Sequence, residues 1–98
     1  MTKIKKYVDK IEDELYSGKD YAEKYLEMKL ERPDWAKMYY QMASDELKHA
    51  DNLHIMVMEE IKDLKQAFTP PQKMLDKWER AHAKYVEEAA WIKQMLAM

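Results

Sequence analysis

Apolar residues recur along this chain at alternating steps of three and four, and the recurrence stops at two places. Ile4, Val8, Ile11, Leu15, Gly18, Ala22 and Tyr25 mark the first stretch. That is the stripe of an amphipathic helix, and it predicts helix 1 over about residues 2–30. Gly18 lies within it, where glycine costs ~1 kcal/mol relative to alanine. Either a neighbouring helix comes close at that point, or the position leaves room beside a bound ion. Pro33 ends the run, and Pro33-Asp34 make a tight connection with Asp34 placed to cap the second helix.

Helix 2 is predicted over about residues 35–67, with Trp35, Met38, Met42, Glu46, His49, Leu53, Met56 and Leu64 near one face. Phe68-Thr69-Pro70-Pro71 breaks it, with Thr69 as a cap and proline tolerated in the next first turn. Helix 3 follows over about residues 72–96, its stripe running through Met74 or Leu75, Trp78, Ala81, Tyr85, Glu88, Ile92 and Met95. The expectation is an all-α fold of three long antiparallel helices forming one domain, residues 1–98. Helix 2 would be ~50 Å long at ~1.5 Å per residue. Three such rods leave one side of a small monomer uncovered, so a homodimer or higher homo-oligomer is expected to complete the bundle.

Composition narrows the options. Apolar residues make up 47% and charged residues 37%, with one Gly and three Pro, which favours long helices over strands. A net charge of −2 is too small to argue for nucleic acid or an acidic membrane surface, and no nucleic-acid partner is expected. Cysteine is absent, so there is neither a disulfide framework nor a thiolate metal site, which fits a reducing cytoplasm. The N-terminal residues lack the apolar core of a signal peptide, and runs such as Ile55-Met56-Val57-Met58 are far too short to span a bilayer. A soluble, cytoplasmic protein with no membrane partner is expected.

The chemistry centres on Glu46 and His49, which interrupt the apolar face of helix 2. Three residues apart, they project from one side of a helix. Burying an unpaired carboxylate costs several kcal/mol, so this pair needs a cation, a metal ion or partial exposure. Glu-x-x-His is also the ligand unit of di-iron and di-manganese helix bundles. If helices 1 and 2 are antiparallel about Pro33, Glu14 reaches the level of Glu46 and His49 to within a turn. Glu12 and Asp13 point elsewhere. Oxygen and imidazole donors suit iron, manganese or zinc.

Glu14, then Tyr21 seven residues on, then Asp45-Glu46-Leu47-Lys48-His49-Ala50-Asp51 resembles the first two helices of ferritin-like di-iron carboxylate proteins. Bacterioferritins and rubrerythrins are nearest, and the resemblance covers roughly the first 55 residues. It implies that Glu46 bridges two metal ions, that Glu14 and His49 each bind one, and that Tyr21 donates a hydrogen bond from behind the ligands. It further implies a di-nuclear iron centre oxidising Fe(II) with oxygen or peroxide, as a ferroxidase- or peroxidase-type oxidoreductase; manganese or zinc would give disproportionation or hydrolysis instead.

A complete site of this kind takes a Glu from each of two helices and a Glu-x-x-His from each of two others. Three helices supply half of it. Two copies meeting on a two-fold axis would provide Glu14, Glu46 and His49 twice, an arrangement similar to the encapsulated ferritins, although the C-terminal Trp91–Met98 reads as a continuation of helix 3 and not as a cargo tail. Alternatively, helix 3 completes the site within one chain. Glu79 and His82 repeat the Glu-x-x-His spacing, but their level misses Glu46 by ~15 Å; Glu87 or Glu88 lies nearer, and Glu88 is on the inward stripe.

The two-fold site is the favoured completion. Glu79 and His82 read as a polar helix face, with a separate metal site as the other option. His54 reads as a surface or interface histidine, the nine methionines as core filler, and Trp35, Trp78 and Trp91 as anchors of helix ends or of a subunit contact. The rival from another class is a metal-free helical scaffold or adaptor, in which Glu14, Glu46 and His49 form a polar network with Lys or Arg as counter-charge.

Overall fold

The computed structural model describes residues 2–98. Three helices, α1 (Thr2–Met28), α2 (Pro33–Ala67) and α3 (Gln72–Ala97), account for nearly all of them, and no strand occurs among the described residues. Together they form a rod of 55 × 17 × 16 Å. Lys3 pairs with Glu60 at 2.9 Å and Glu14 lies 3.4 Å from His49, so α1 and α2 run in opposite directions. Contacts of His54 with His82 and of Asp51 with Tyr85 set α3 antiparallel to α2.

Proline chemistry fixes both connections, though not through the expected caps. Pro33 begins α2 instead of preceding it, as its preset φ and missing N–H allow. Arg32 is the N-cap residue, without a side-chain cap, and Asp34 falls in the first turn. There the Asp34 carboxylate faces the positive end of the helix and is held by Arg32 at 3.1 and 3.3 Å. That hydrogen bond, first among its causes, lowers the Asp34 pKa. The Arg32 guanidinium also lies 3.9 Å over the Trp35 ring. At the second break Pro71, not Thr69, is the N-cap residue of α3, and its carbonyl accepts from Met74 and Leu75.

The core confirms the stripe of α1 and most of that of α3. Ile4, Ile11, Leu15 and Ala22 are buried on α1, with Ala89, Ile92, Met95 and Leu96 on α3. The face assigned to α2 is different. Its buried residues are Ala36, Ala43, Leu47, Ala50, Val57 and Ile61, whereas Trp35, Met38, Met42 and Met56 are exposed. Ala36, Ala43, Ala50 and Val57 recur every seven residues. Small side chains at a helix contact permit a short interaxial distance, and Ala43, Ala50 and Val57 of this line belong to the common core with α1.

Gly18 marks where all three helices converge. A Cβ added there would lie 3.2 Å from Ile92 Cδ1 and 3.4 Å from Glu46 Cβ. The close approach anticipated at this glycine is therefore present, and one of the approaching atoms belongs to a candidate ligand. Elsewhere α3 packs on α1, while its backbone stays farther from α2. Large side chains, Trp78, His82 and Tyr85 from α3 and His54 from α2, fill that gap.

Candidate metal centre

Glu14, Glu46 and His49 meet on the flank of the α1–α2 pair. Two features set their positions: the antiparallel register, which levels Glu14 with α2, and the i, i+3 spacing that aligns Glu46 with His49. His49 Nδ1 lies 3.4 Å from Glu14 Oε2 and 4.0 Å from Glu46 Oε2. One ligand atom from each of the three falls within 4.8 Å of the others.

Burial is graded across the group. The side chain of Glu14 is 11% exposed, that of Glu46 21% and that of His49 56%. The acids are thus largely withdrawn from water while the imidazole closes the outer edge. Lys10 Nζ stands 3.3 Å from Glu14 Oε1, one turn along α1. It supplies one positive charge for two carboxylates, from a well-exposed side chain that can swing away. With its lysine end in solvent, a pair of this kind is screened and contributes little.

The donor set fits a divalent ion. Two donors bound to one ion at ~2.0–2.2 Å can be at most ~4.4 Å apart. The two separations from His49 Nδ1, 3.4 and 4.0 Å, lie inside that reach, while the group as a whole closes to within 4.8 Å, so the side chains turn inward slightly to share one ion. Two carboxylate side chains face a single lysine, so the group holds more acid than base, an excess that a cation offsets. Oxygen with a single nitrogen is the set shared by iron, manganese and zinc sites.

The other residues singled out in the sequence go elsewhere. Tyr21 packs against the core and stacks with Tyr39, ring centroids 6.3 Å apart. Two turns along α1 from Glu14, it is not a hydrogen-bond partner of the three ligands; their described contacts are with one another and with Lys10. Glu88 is half-buried but does not enter the group, and α3 instead presents the apolar Ile92 beside Gly18 and Glu46. Glu79 and His82 are also outside it. His82 meets His54, eight residues beyond Glu46 on α2, which is ~12 Å along the helix axis. Among the described residues, Glu14, Glu46 and His49 form the one cluster of three or more acids and histidines close enough to share an ion.

His54, expected as a surface or interface histidine, lies half-buried between α2 and α3. Tyr85 stacks on it at 4.3 Å and 12°, and Trp78 lies 5.5 Å away. Burial, first, and the neighbouring His82, second, lower its pKa, partly opposed by Asp51. Tyr85 donates its hydroxyl to Asp51. Burial and that hydrogen bond push the phenol up to about 12. The spacing about Pro70 carries the signal: His54 and His82 lie at similar distances from the break.

No helix among the described residues is long and apolar enough to cross a membrane. Comparison with protein-family models, curated proteins and solved structures yields no match. The functional reading therefore rests on the cluster and its surroundings.

Proposed function

We propose that this chain carries half of a ferritin-like di-metal centre, that a second copy supplies the other half, and that its substrate is Fe(II), oxidised by oxygen or peroxide. The observation that carries the reading is the convergence of Glu14, Glu46 and His49 next to an uncovered face of α2. Trp35, Met42, His49 and Met56 recur on that face every seven residues, with Met38 beside them. A helix with one apolar face in its own core and a second one exposed has a further helix to meet. A two-fold partner seated there would cover the methionines and bring a second Glu14, Glu46 and His49 opposite the first.

In this reading Glu14 and His49 each hold one ion, and Glu46 stands between the two sites. Two iron ions held there would supply two electrons to the oxidant. Of the chain's own groups, Glu14 and Glu46 would bind from the shielded side, His49 from the exposed edge, and Ile92 packs beside Gly18 on the α3 side. Lys10, paired with Glu14 from an exposed position, would give way to a bound cation. Manganese or zinc would use the same donors.

The Lys10–Glu14 pair also favours a second reading, a metal-free helical scaffold with a compensated polar patch. Anaerobic Fe(II) loading separates the two. The di-metal reading predicts about one Fe(II) per chain, bound by a dimer and lost in Glu46→Ala and His49→Ala. A protein that takes up no Fe(II) at saturating concentration, with helicity intact, would establish the scaffold.

A further inference from the structure

A second convergence of donors lies between α2 and α3, apart from the carboxylate cluster. His54 Nε2 and His82 Nδ1 are 2.8 Å apart, on rings inclined by 26°. Tyr85 lies nearly parallel to the His54 ring and Trp78 flanks both histidines, so the His54 ring has restricted freedom while His82 stays exposed. Tyr85 is in turn fixed by its hydrogen bond to Asp51. Two imidazoles facing nitrogen to nitrogen can hold one proton between them, with one ring donating and the other accepting. A second proton would set two cations against each other in a partly buried gap, and His54 already resists protonation there.

The position of that shared proton is also a position for a metal ion. Imidazole nitrogen suits Zn(II), Cu(II) and Ni(II), and two such donors from separate helices pointing at one spot are an uncommon surface feature. Tetrahedral zinc with ~2.0–2.1 Å bonds would place the nitrogens ~3.3 Å apart. The pair must then open by ~0.5 Å, and the exposed His82 ring can turn to do so. Glu79 precedes His82 by three residues on the same face of α3 and is exposed; its carboxylate does not reach the two nitrogens as it stands and would have to turn toward them to add an oxygen. Asp51 stands in the same relation to His54, but Tyr85 engages it.

We propose that His54 and His82 form a second, zinc-type cation site that ties α2 to α3, with Glu79 and water completing the coordination. Its consequence is structural. The α2 and α3 backbones approach each other at few points, so an ion held by one histidine from each would pin the N-terminal half of α3 to the rest of the rod.

The test is independent of the carboxylate cluster. A Glu14→Ala/Glu46→Ala/His49→Ala variant, which lacks that cluster, is titrated with ZnCl2 by calorimetry and by thermal melting. The expected result is one Zn(II) per chain and a Tm raised by roughly 5 °C or more at saturation, both lost when His82→Gln is added. Cu(II) in the same variant should give an electron-paramagnetic spectrum with two nitrogen couplings, reduced to one by His82→Gln. Absence of Zn(II) binding, or binding that His82→Gln leaves unchanged, overturns the proposal. Should the triple variant not fold, the wild-type chain serves: loss of one of its zinc equivalents in both His54→Gln and His82→Gln supports the site, and unchanged stoichiometry overturns it.

Discussion

Substituting Gly18 by alanine probes the point where the three helices close on one another. In an open helix the change would stabilise by ~1 kcal/mol, because alanine loses less backbone freedom on folding. Here the new Cβ would stand 3.2 Å from Ile92 Cδ1, a contact tighter than ordinary packing, and Ile92 is fully buried. Overpacking of this kind costs ~1–3 kcal/mol, so the sum is a loss of roughly 0–2 kcal/mol. Ile92→Val removes the offending Cδ1 at a cost of ~0.5–1.5 kcal/mol. In that background the nearest remaining atoms are Glu46 Cβ at 3.4 Å and Ala43 O at 3.8 Å, both tolerable. Gly18→Ala should then become stabilising by ~1 kcal/mol, giving a coupling of roughly 1–3 kcal/mol between the two positions. Urea unfolding monitored by circular dichroism measures all four chains of the cycle, at one protein concentration because self-association shifts the midpoint. If Gly18→Ala stabilises the wild-type chain by ~1 kcal/mol and adds simply to Ile92→Val, then α3 does not close over Gly18.

Other consequences are directly measurable. Tyr85→Phe removes the donor to Asp51 and should lower stability by ~1–2 kcal/mol in urea; since burial and that hydrogen bond push the Tyr85 phenol up to about 12, the substitution should also remove a late-ionising phenol from an absorbance titration. The pKa of His54 is lowered in the folded chain, so the unfolded chain binds its proton first, and stability must fall as pH drops below ~6.5 towards the folded pKa. Melting temperatures across that range should show the decline, and His54→Gln should flatten part of it. If the proposed two-fold contact forms on the exposed face of α2, the wild-type chain should elute from size exclusion as a dimer and Met42→Glu as a monomer with helicity unchanged. A monomeric wild-type chain would remove the two-fold site, and a dimeric Met42→Glu would move the contact off this face.

Much of the architecture is legible in the residue pattern. Periodicity and the two proline breaks place every helix end within two residues of its observed position. Height arithmetic brings Glu14 to Glu46 and His49 and keeps Glu79 and His82 away from them. The helix 2 face is where the pattern misleads, and the reason is physical. Tryptophan and methionine carry a strong apolar signal, whereas Ala36, Ala43 and Ala50 carry a weak one, yet alanine is what a close helix–helix contact selects. The loud stripe is the one left outside. The His54–His82 contact escapes notice when each histidine is weighed alone, although their levels about Pro70 nearly coincide. The role expected of Tyr21 comes from resemblance, while its neighbours in the fold are Tyr39 and the core.

The most direct test is a crystal grown anaerobically with excess Fe(II) and measured on both sides of the iron absorption edge. A shared di-metal centre predicts anomalous density within bonding distance of Glu14, Glu46 and His49, two ions across each two-fold contact and one per chain. Crystals soaked to saturation that show no iron at these three side chains, or iron held only elsewhere on the molecule, would contradict it.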